Sequence, residues 1–133
     1  MPTPRTPAAP PQPDAASRSA PQLRFRMRVT DGDAIAVGPG KIALLEALER
    51  TGSITAAAKS LGMSYRRAWI LLDEVNRSLR EPAVESAKGG PAGGGSVLTG
   101  TGRELVLLYR RIEATAATAC RADIRKLMSL LAR

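Results

Sequence analysis

SITAAAKSLGMSYRRAWILL, Ser53 to Leu72, is the stretch on which the reading of this chain turns. Ser53 is a good N-cap, and Ile54, Ala57, Ala58 and Leu61 follow at i, i+3, i+4 and i+7, one face of a short helix. Gly62 tolerates the positive φ of a tight turn. Ser64 caps a second helix over 64–80, which stops before Pro82. Its Ala68, Leu71, Leu72 and Val75 face inward at helical spacing, with Ala57, Leu61 and Met63 completing the inner set. Ala58 is small enough to let the two helices cross closely. Such a crossing with a glycine turn is what a helix-turn-helix requires, although an ordinary helical hairpin shares several of these features.

Toward the N-terminus, KIALLEALER (41–50) reads as a helix with Ile42, Leu45 and Leu48 on its buried stripe and Gly52 at its end. Gly38-Pro39-Gly40 breaks the chain before it. LRFRMRVT (23–30) alternates strictly. Leu23, Phe25, Met27 and Val29 face one way and Arg24, Arg26, Arg28 and Thr30 the other, the pattern of a half-buried strand. DGD (31–33) turns it into a returning strand, AIAV (34–37). The three arginines read as the charged solvent face of an edge strand, although a basic stripe near DNA would have the same pattern.

Toward the C-terminus, a short strand near Ala83–Ala87, then KGGPAGGG (88–95), then Ser96-Val97-Leu98 make a hairpin with a glycine-rich tip. Thr99 or Thr101 caps a long last helix, about 101–131, with Glu104 three residues past Thr101 as a capping box. Leu105, Leu108, Ile112, Ala116 and Ala119 lie along one side, and Ile124, Leu127 and Leu131 continue the stripe. The expected fold is α+β and mostly α: a winged helix-turn-helix with an N-terminal β-hairpin and a long C-terminal helix. Residues 1–22 hold seven of the ten prolines and no apolar run, so they read as a disordered tail and not a signal peptide. Residues 23–133 are the folded domain, with 101–131 as its dimerisation helix.

Composition narrows the function. The net charge is +8, and 16 of the 20 basic residues are arginine, whose planar fork suits phosphates and guanine edges. A small chain this basic favours an anionic partner, nucleic acid before an acidic membrane surface. There is no histidine and a single cysteine, Cys120, which excludes histidine acid–base chemistry, His-ligated metal sites and an intrachain disulfide. Cys120 reads as a packing residue, and a reducing, cytoplasmic setting fits. No apolar run approaches a membrane span of ~18 residues. The glycine run is not a nucleotide loop: a Walker loop leads from Gly-Lys-Ser/Thr into a helix, whereas Gly95 is followed by a strand. The acidic residues are scattered and no nucleophile–base pair is visible, so the chain does not read as an enzyme, and no cofactor is expected.

Candidate DNA contacts follow from the inner face. With Ala58, Gly62 and Ala68 inward, Ser64, Tyr65, Arg66, Arg67 and Ile70 lie outward or at the edge, where early residues of a recognition helix enter the major groove. Ser53 and Thr55 offer hydroxyls and helix N-terminal amides to phosphate, and Lys88 stands at the hairpin tip. Tyr65 either packs under the hairpin or turns its hydroxyl to a phosphate. Trp69 reads as core or hairpin packing, and Asn76, on an inner-leaning position, as a hydrogen-bond partner of the hairpin.

Three runs, GSITAAAKSLGMSYRRAWILLDEVN (52–76), VESAKGGPAGGGSVLT (84–99) and TGRELVLLYRRIE (101–113), together resemble the DNA-binding domain of ModE-type molybdate-responsive regulators. The resemblance covers about residues 23–120. It rests on Gly52-Ser53-Ile54, Ser64-Tyr65 with Ala68-Trp69, Asn76, the Gly-Gly-x-x-Gly-Gly-Gly run and Leu98-Thr99. The helix-turn-helix stretch is also similar to that of LysR-type regulators. The family's molybdate-sensing part is a C-terminal pair of small β-barrel modules, for which a chain ending at Arg133 leaves no place. The resemblance therefore implies DNA binding and dimerisation, with no molybdate site in this chain. The expected function is a DNA-binding transcriptional regulator, a homodimer on double-stranded DNA with a palindromic site, possible links to molybdate-related genes resting on analogy alone. The alternatives are a low-specificity architectural DNA-binding protein and a winged-helix protein-interaction adaptor.

Overall fold

The computed structural model describes residues 20–86 and 95–132. Their elements run β1 (Val29–Asp31), β2 (Ala34–Val37), α1 (Pro39–Thr51), α2 (Ile54–Ser60), α3 (Tyr65–Ser78), β3 (Val84–Ser86), β4 (Ser96–Leu98), α4 (Gly100–Ala119) and α5 (Arg121–Ser129). The fold is mixed and mostly helical, with two small antiparallel sheets, β1–β2 and β3–β4. It divides into two units, Phe25–Ala119 and the two ends of the chain.

The core belongs to Phe25–Ala119 and is built around α1. Pro39 sits at the start of this helix, where its missing N–H costs nothing and its fixed φ favours the first turn. The Gly38-Pro39-Gly40 breaker is thus the helix start. Ile42, Leu44, Leu45, Ala47 and Leu48 are completely buried. The apolar face is wider than the stripe of Ile42, Leu45 and Leu48 because α2, α3, α4 and β4 all pack on α1. Each buried leucine or isoleucine there contributes roughly 1.5–3 kcal/mol. Gly52 closes the helix at φ 75°, its N–H bonding the Leu48 carbonyl. Lys41 is buried within α1: its ammonium donates to the Ile35 carbonyl on β2 and pairs with Glu74 of α3 at 3.1 Å. One cation thereby ties three elements together.

The strand expected over 23–30 is realised only from Val29. Its partner β2 has four residues, so there is no ladder for the backbone of 23–28 to join. Phe25 and Met27 are still half-buried while Arg24, Arg26 and Arg28 are exposed. The alternation fails at Val29, which is 57% exposed; a register shift between Val29 and Thr30 intervenes there. The segment is fixed from elsewhere: buried Tyr109 of α4 donates its hydroxyl to the Met27 carbonyl at 2.9 Å.

α4 is capped by Thr99, whose hydroxyl accepts from Gly102 N–H at 3.0 Å. Thr101 lies inside the helix and its hydroxyl bonds Glu81, so the Thr101–Glu104 capping box does not form. A second correction concerns length. The single helix expected over 101–131 is interrupted at Cys120, whose φ −101° and ψ 15° leave the helical region, and α5 starts afresh at Arg121. Neither glycine nor proline marks the break. α5 itself has no buried residue.

One surface pair joins α1 to α4. Arg110 donates two hydrogen bonds to Glu46, at 2.6 and 3.0 Å, and a third to Glu113 at 2.7 Å. These bonds hold the Glu46 carboxyl below its ordinary value of 4.5; partial burial opposes them, and the charges of Arg110 and Arg50 assist. A carboxylate lowered by folding adds stability above its unfolded-state pKa, which is lost as pH falls through the folded-state value. The side chains are 45% and 33% exposed, so screening limits the pair, and its contribution is about 0.5–1 kcal/mol. Glu46→Gln should lower the urea midpoint at neutral pH. Well below pH 4.5 it should make no difference, as parallel urea titrations across the acid range would read.

Candidate nucleic-acid interface

The sequence Ser53–Ser78 folds as two hydroxyl-capped helices joined by a glycine turn. Ser53 Oγ accepts from Ala56 N–H at 3.0 Å and starts α2. At its other end Leu61 N–H and Met63 N–H both bond the Ala58 carbonyl, and Gly62 N–H bonds that of Lys59. Gly62 has φ 67°, the left-handed region that a side chain disfavours. Ser64 Oγ then accepts from Arg67 N–H at 3.1 Å and starts α3. Ala57, Ala58 and Ala68 are buried where α2 packs on α3, and Leu72 and Val75 carry the inner face of α3 onward. Met63 and Leu71 are half-buried against this core, whereas Leu61, expected inside, is 38% exposed.

With its inner face anchored, α3 turns its first two turns to solvent. Tyr65, Arg66, Trp69 and Ile70 line one shallow groove, and Ser64 and Arg67 are exposed beside it. Five of the expected contact residues, Ser64, Tyr65, Arg66, Arg67 and Ile70, therefore share the N-terminal half of one helix. Ser53 is half-buried as a cap and Thr55 is exposed in the first turn of α2. Both capping serines accept a backbone N–H, which leaves each hydroxyl proton free to donate. Lys88 lies outside the described residues.

Trp69, expected in the core or against the hairpin, lies outside the core and is 49% exposed. Its place follows from helical geometry. At one residue past Ala68 and four past Tyr65, it shares the ridge of Tyr65 and not the stripe of Ala68, Leu72 and Val75. The indole also borders a second groove, between α3 and the β3–β4 ladder, with Ile54, Asn76 and Ser86.

The ladder is held to α3 by Asn76. Its Oδ1 accepts from Ala83 N–H at 2.8 Å and Val84 N–H at 3.1 Å, and its Nδ2 donates to the Val84 carbonyl at 3.0 Å. The hairpin's base is thereby tied to the helix whose start is exposed. Register Val84↔Leu98, Glu85↔Val97 and Ser86↔Ser96 carries the strands away from that anchor.

Charge is divided along α3. Arg66 and Arg67 have no acidic partner among the described residues, whereas Arg77 pairs with Asp73 at 2.9 Å and Glu74 with Lys41. Asp73 and Glu85 also border the groove beside the hairpin. Positive charge available to an anion thus gathers at the start of the helix. Among the described residues, no group of three or more His, Cys, Asp or Glu is placed to hold a metal ion, and no helix is long and apolar enough to cross a membrane.

No protein-family profile matches the chain. Individual relatives do. The chain is 48% identical over 81 residues to the molybdenum-pterin-binding protein MopB of Rhodobacter capsulatus, covering 61% of this chain and 30% of the relative. It is 41% identical over 95 residues to the molybdenum transport protein ModE of Azotobacter vinelandii, covering 71% and 35%. To the DNA-binding transcriptional dual regulator ModE of Escherichia coli it is 44% identical over 71 residues, covering 53% and 27%. The chain spans about a third of the length of these curated relatives.

Proposed function

We propose that this chain, similar to ModE proteins over 53–71% of its length, is a DNA-binding transcriptional regulator of the bacterial cytoplasm. α2 and α3 act as a helix-turn-helix. Helix 64–80 enters the major groove by its N-terminal half, and the β3–β4 hairpin follows the adjacent backbone as a wing. The observation that carries this reading is Arg66 and Arg67, without an acidic partner among the described residues, on the exposed start of a helix whose opposite face is locked by Ala68, Leu72 and Val75. Rigid placement matters because an arginine reads guanine O6 and N7 only when its fork is in register, a contact worth about 1–3 kcal/mol of discrimination. Tyr65, Ile70 and Ser64 complete that surface; Ser53 and Thr55, with the α2 N-terminus, bind phosphate, and Lys88 supports the wing.

α4 supports a dimer. Leu107, Leu108 and Ile112 are exposed on it at 55%, 42% and 55%, more apolar surface than a solvated helix face needs. A two-fold dimer through the 101–131 region presents two recognition helices about 34 Å apart and requires a palindromic site. The names of the relatives make molybdenum-related genes the first targets to examine.

The test is selection of random duplex DNA at about 150 mM salt, where non-specific phosphate binding is weakened. Wild type should recover a palindrome. The Arg66→Ala/Arg67→Ala pair should bind it at least about 30-fold more weakly, two lost contacts at the lower to middle range. Tight binding without a motif would favour the architectural reading. No binding by either protein would sink the DNA hypothesis and leave the protein-interaction adaptor.

A further inference from the structure

The exposed start of α3 is not simply basic. Tyr65, Trp69 and Ile70 are 54%, 49% and 40% exposed and line a single groove with Arg66. At 100° per residue, their order around the helix is Tyr65, Trp69, Arg66, Ile70, so the arginine rises between apolar walls. Single exposed apolar residues need no explanation, but three large ones on two turns of one helix do. Trp69 also borders the groove toward the β3–β4 ladder, yet about half of it stays exposed. The core of α3 is complete with Ala68, Leu72 and Val75, and the Trp69 indole N–H has no hydrogen-bond partner among the described residues. A purely phosphate-binding face would carry lysines and hydroxyls, which bind without apolar contact.

The major groove offers one apolar group at its base edges, the C5 methyl of thymine. Resting on the DNA-binding reading above, we infer that Tyr65, Trp69 and Ile70 form a thymine-methyl-reading surface around Arg66, so that this chain selects sites in which thymines flank the guanine read by that arginine. Charge complementarity selects this occupant over an apolar peptide: Arg66 and Arg67 bring the patch against a polyanion, and the whole chain carries +8. Burying the methyls also removes water from around the Arg66 fork, which strengthens its hydrogen bonds to guanine.

The test replaces each thymine of the selected duplex in turn by deoxyuridine, which deletes the methyl and keeps every hydrogen-bonding group. Full-length wild type should lose about fourfold in affinity at one or two positions per half-site, the worth of one buried methyl. That loss should be the same at low and high salt, unlike loss of a phosphate contact. Ile70→Ala and Trp69→Ala should bind the thymine duplex more weakly and should no longer distinguish it from the deoxyuridine duplex. Specific binding that is indifferent to deoxyuridine everywhere overturns the inference and leaves the DNA-binding reading standing. So does an equal deoxyuridine penalty in wild type and both variants. Self-association of the wild type, abolished by Trp69→Ala with no methyl effect, overturns it in favour of a protein contact. Failure to bind any duplex overturns the DNA-binding reading and this inference together.

Discussion

Gly102→Ala is expected to destabilise the protein by up to about 2 kcal/mol net, against the ordinary preference of helices for alanine. In a free helix this change would stabilise by about 1 kcal/mol. At this position, however, an added Cβ would stand 2.2 Å from the Ala83 carbonyl oxygen and 3.1 Å from its carbon. Both are backbone atoms and cannot rotate away. Relief requires α4 to move off the segment before β3, which strains Thr99 N–H to Ala83 O at 2.9 Å and Thr99 Oγ1 to Pro82 O at 2.7 Å. Overpacking of this kind costs typically about 1–3 kcal/mol, occasionally more. Gly100→Ala is the control, since a Cβ there meets nothing within 4 Å. Urea unfolding followed by circular dichroism should show a clear fall in midpoint for Gly102→Ala and none for Gly100→Ala. Equal midpoints for wild type and Gly102→Ala would mean that α4 and the Ala83 backbone are not in this close contact.

Asn76→Ala should cost about 3 kcal/mol and should also weaken DNA binding, because one side chain both stabilises the fold and sets the hairpin against α3. Its removal leaves the N–H groups of buried Ala83 and Val84 without the oxygen they share, and the Val84 carbonyl without its donor. An unsatisfied buried polar group costs about 1–3 kcal/mol. Asn76→Asp separates the contributions. Its carboxylate can still accept both N–H groups but faces the Val84 carbonyl with no donor, and protonation restores one. The two N–H groups favour the charged form, while partial burial and the facing Val84 carbonyl favour the neutral one; with the second pair prevailing, the carboxyl pKa rises on folding. The stability deficit of Asn76→Asp should shrink as pH falls through the carboxyl range and grow above it. A pH-independent deficit equal to that of Asn76→Ala would show that the donor and acceptor roles of this side chain do not matter separately.

Much of the candidate interface was legible because local rules govern it. Ser53 and Ser64 cap helices, and Gly52 and Gly62 turn the chain, through contacts within four residues of themselves. Such contacts follow from residue type and spacing alone. The outward placement of Tyr65, Arg66, Arg67 and Ile70 follows from the same arithmetic once Ala68, Leu72 and Val75 are taken as the inner face. Asn76 was legible as a partner of the hairpin, although its three bonds were not. For Trp69 the spacing left core and hairpin open, and the structure puts it outside the core, beside the hairpin.

What the sequence by itself determined was the succession of helices, turns and hairpins between Ala34 and Thr99, and which side of α1 and α3 is apolar. Those properties depend on neighbours along the chain. Contacts across long sequence separations were decided by tertiary structure. Which threonine caps α4 depended on the carbonyls of Pro82 and Ala83 arriving beside Thr99. The need for glycine at 102 arose from the same approach. Segment 23–28 alternates as a strand does, yet it found no partner strand and was fixed through Tyr109, 82 residues from Met27. Lys41 was buried because Ile35 and Glu74 converged on it. A residue's pattern states which face it prefers; only the assembled fold supplies the backbone groups and charges that make such a place favourable.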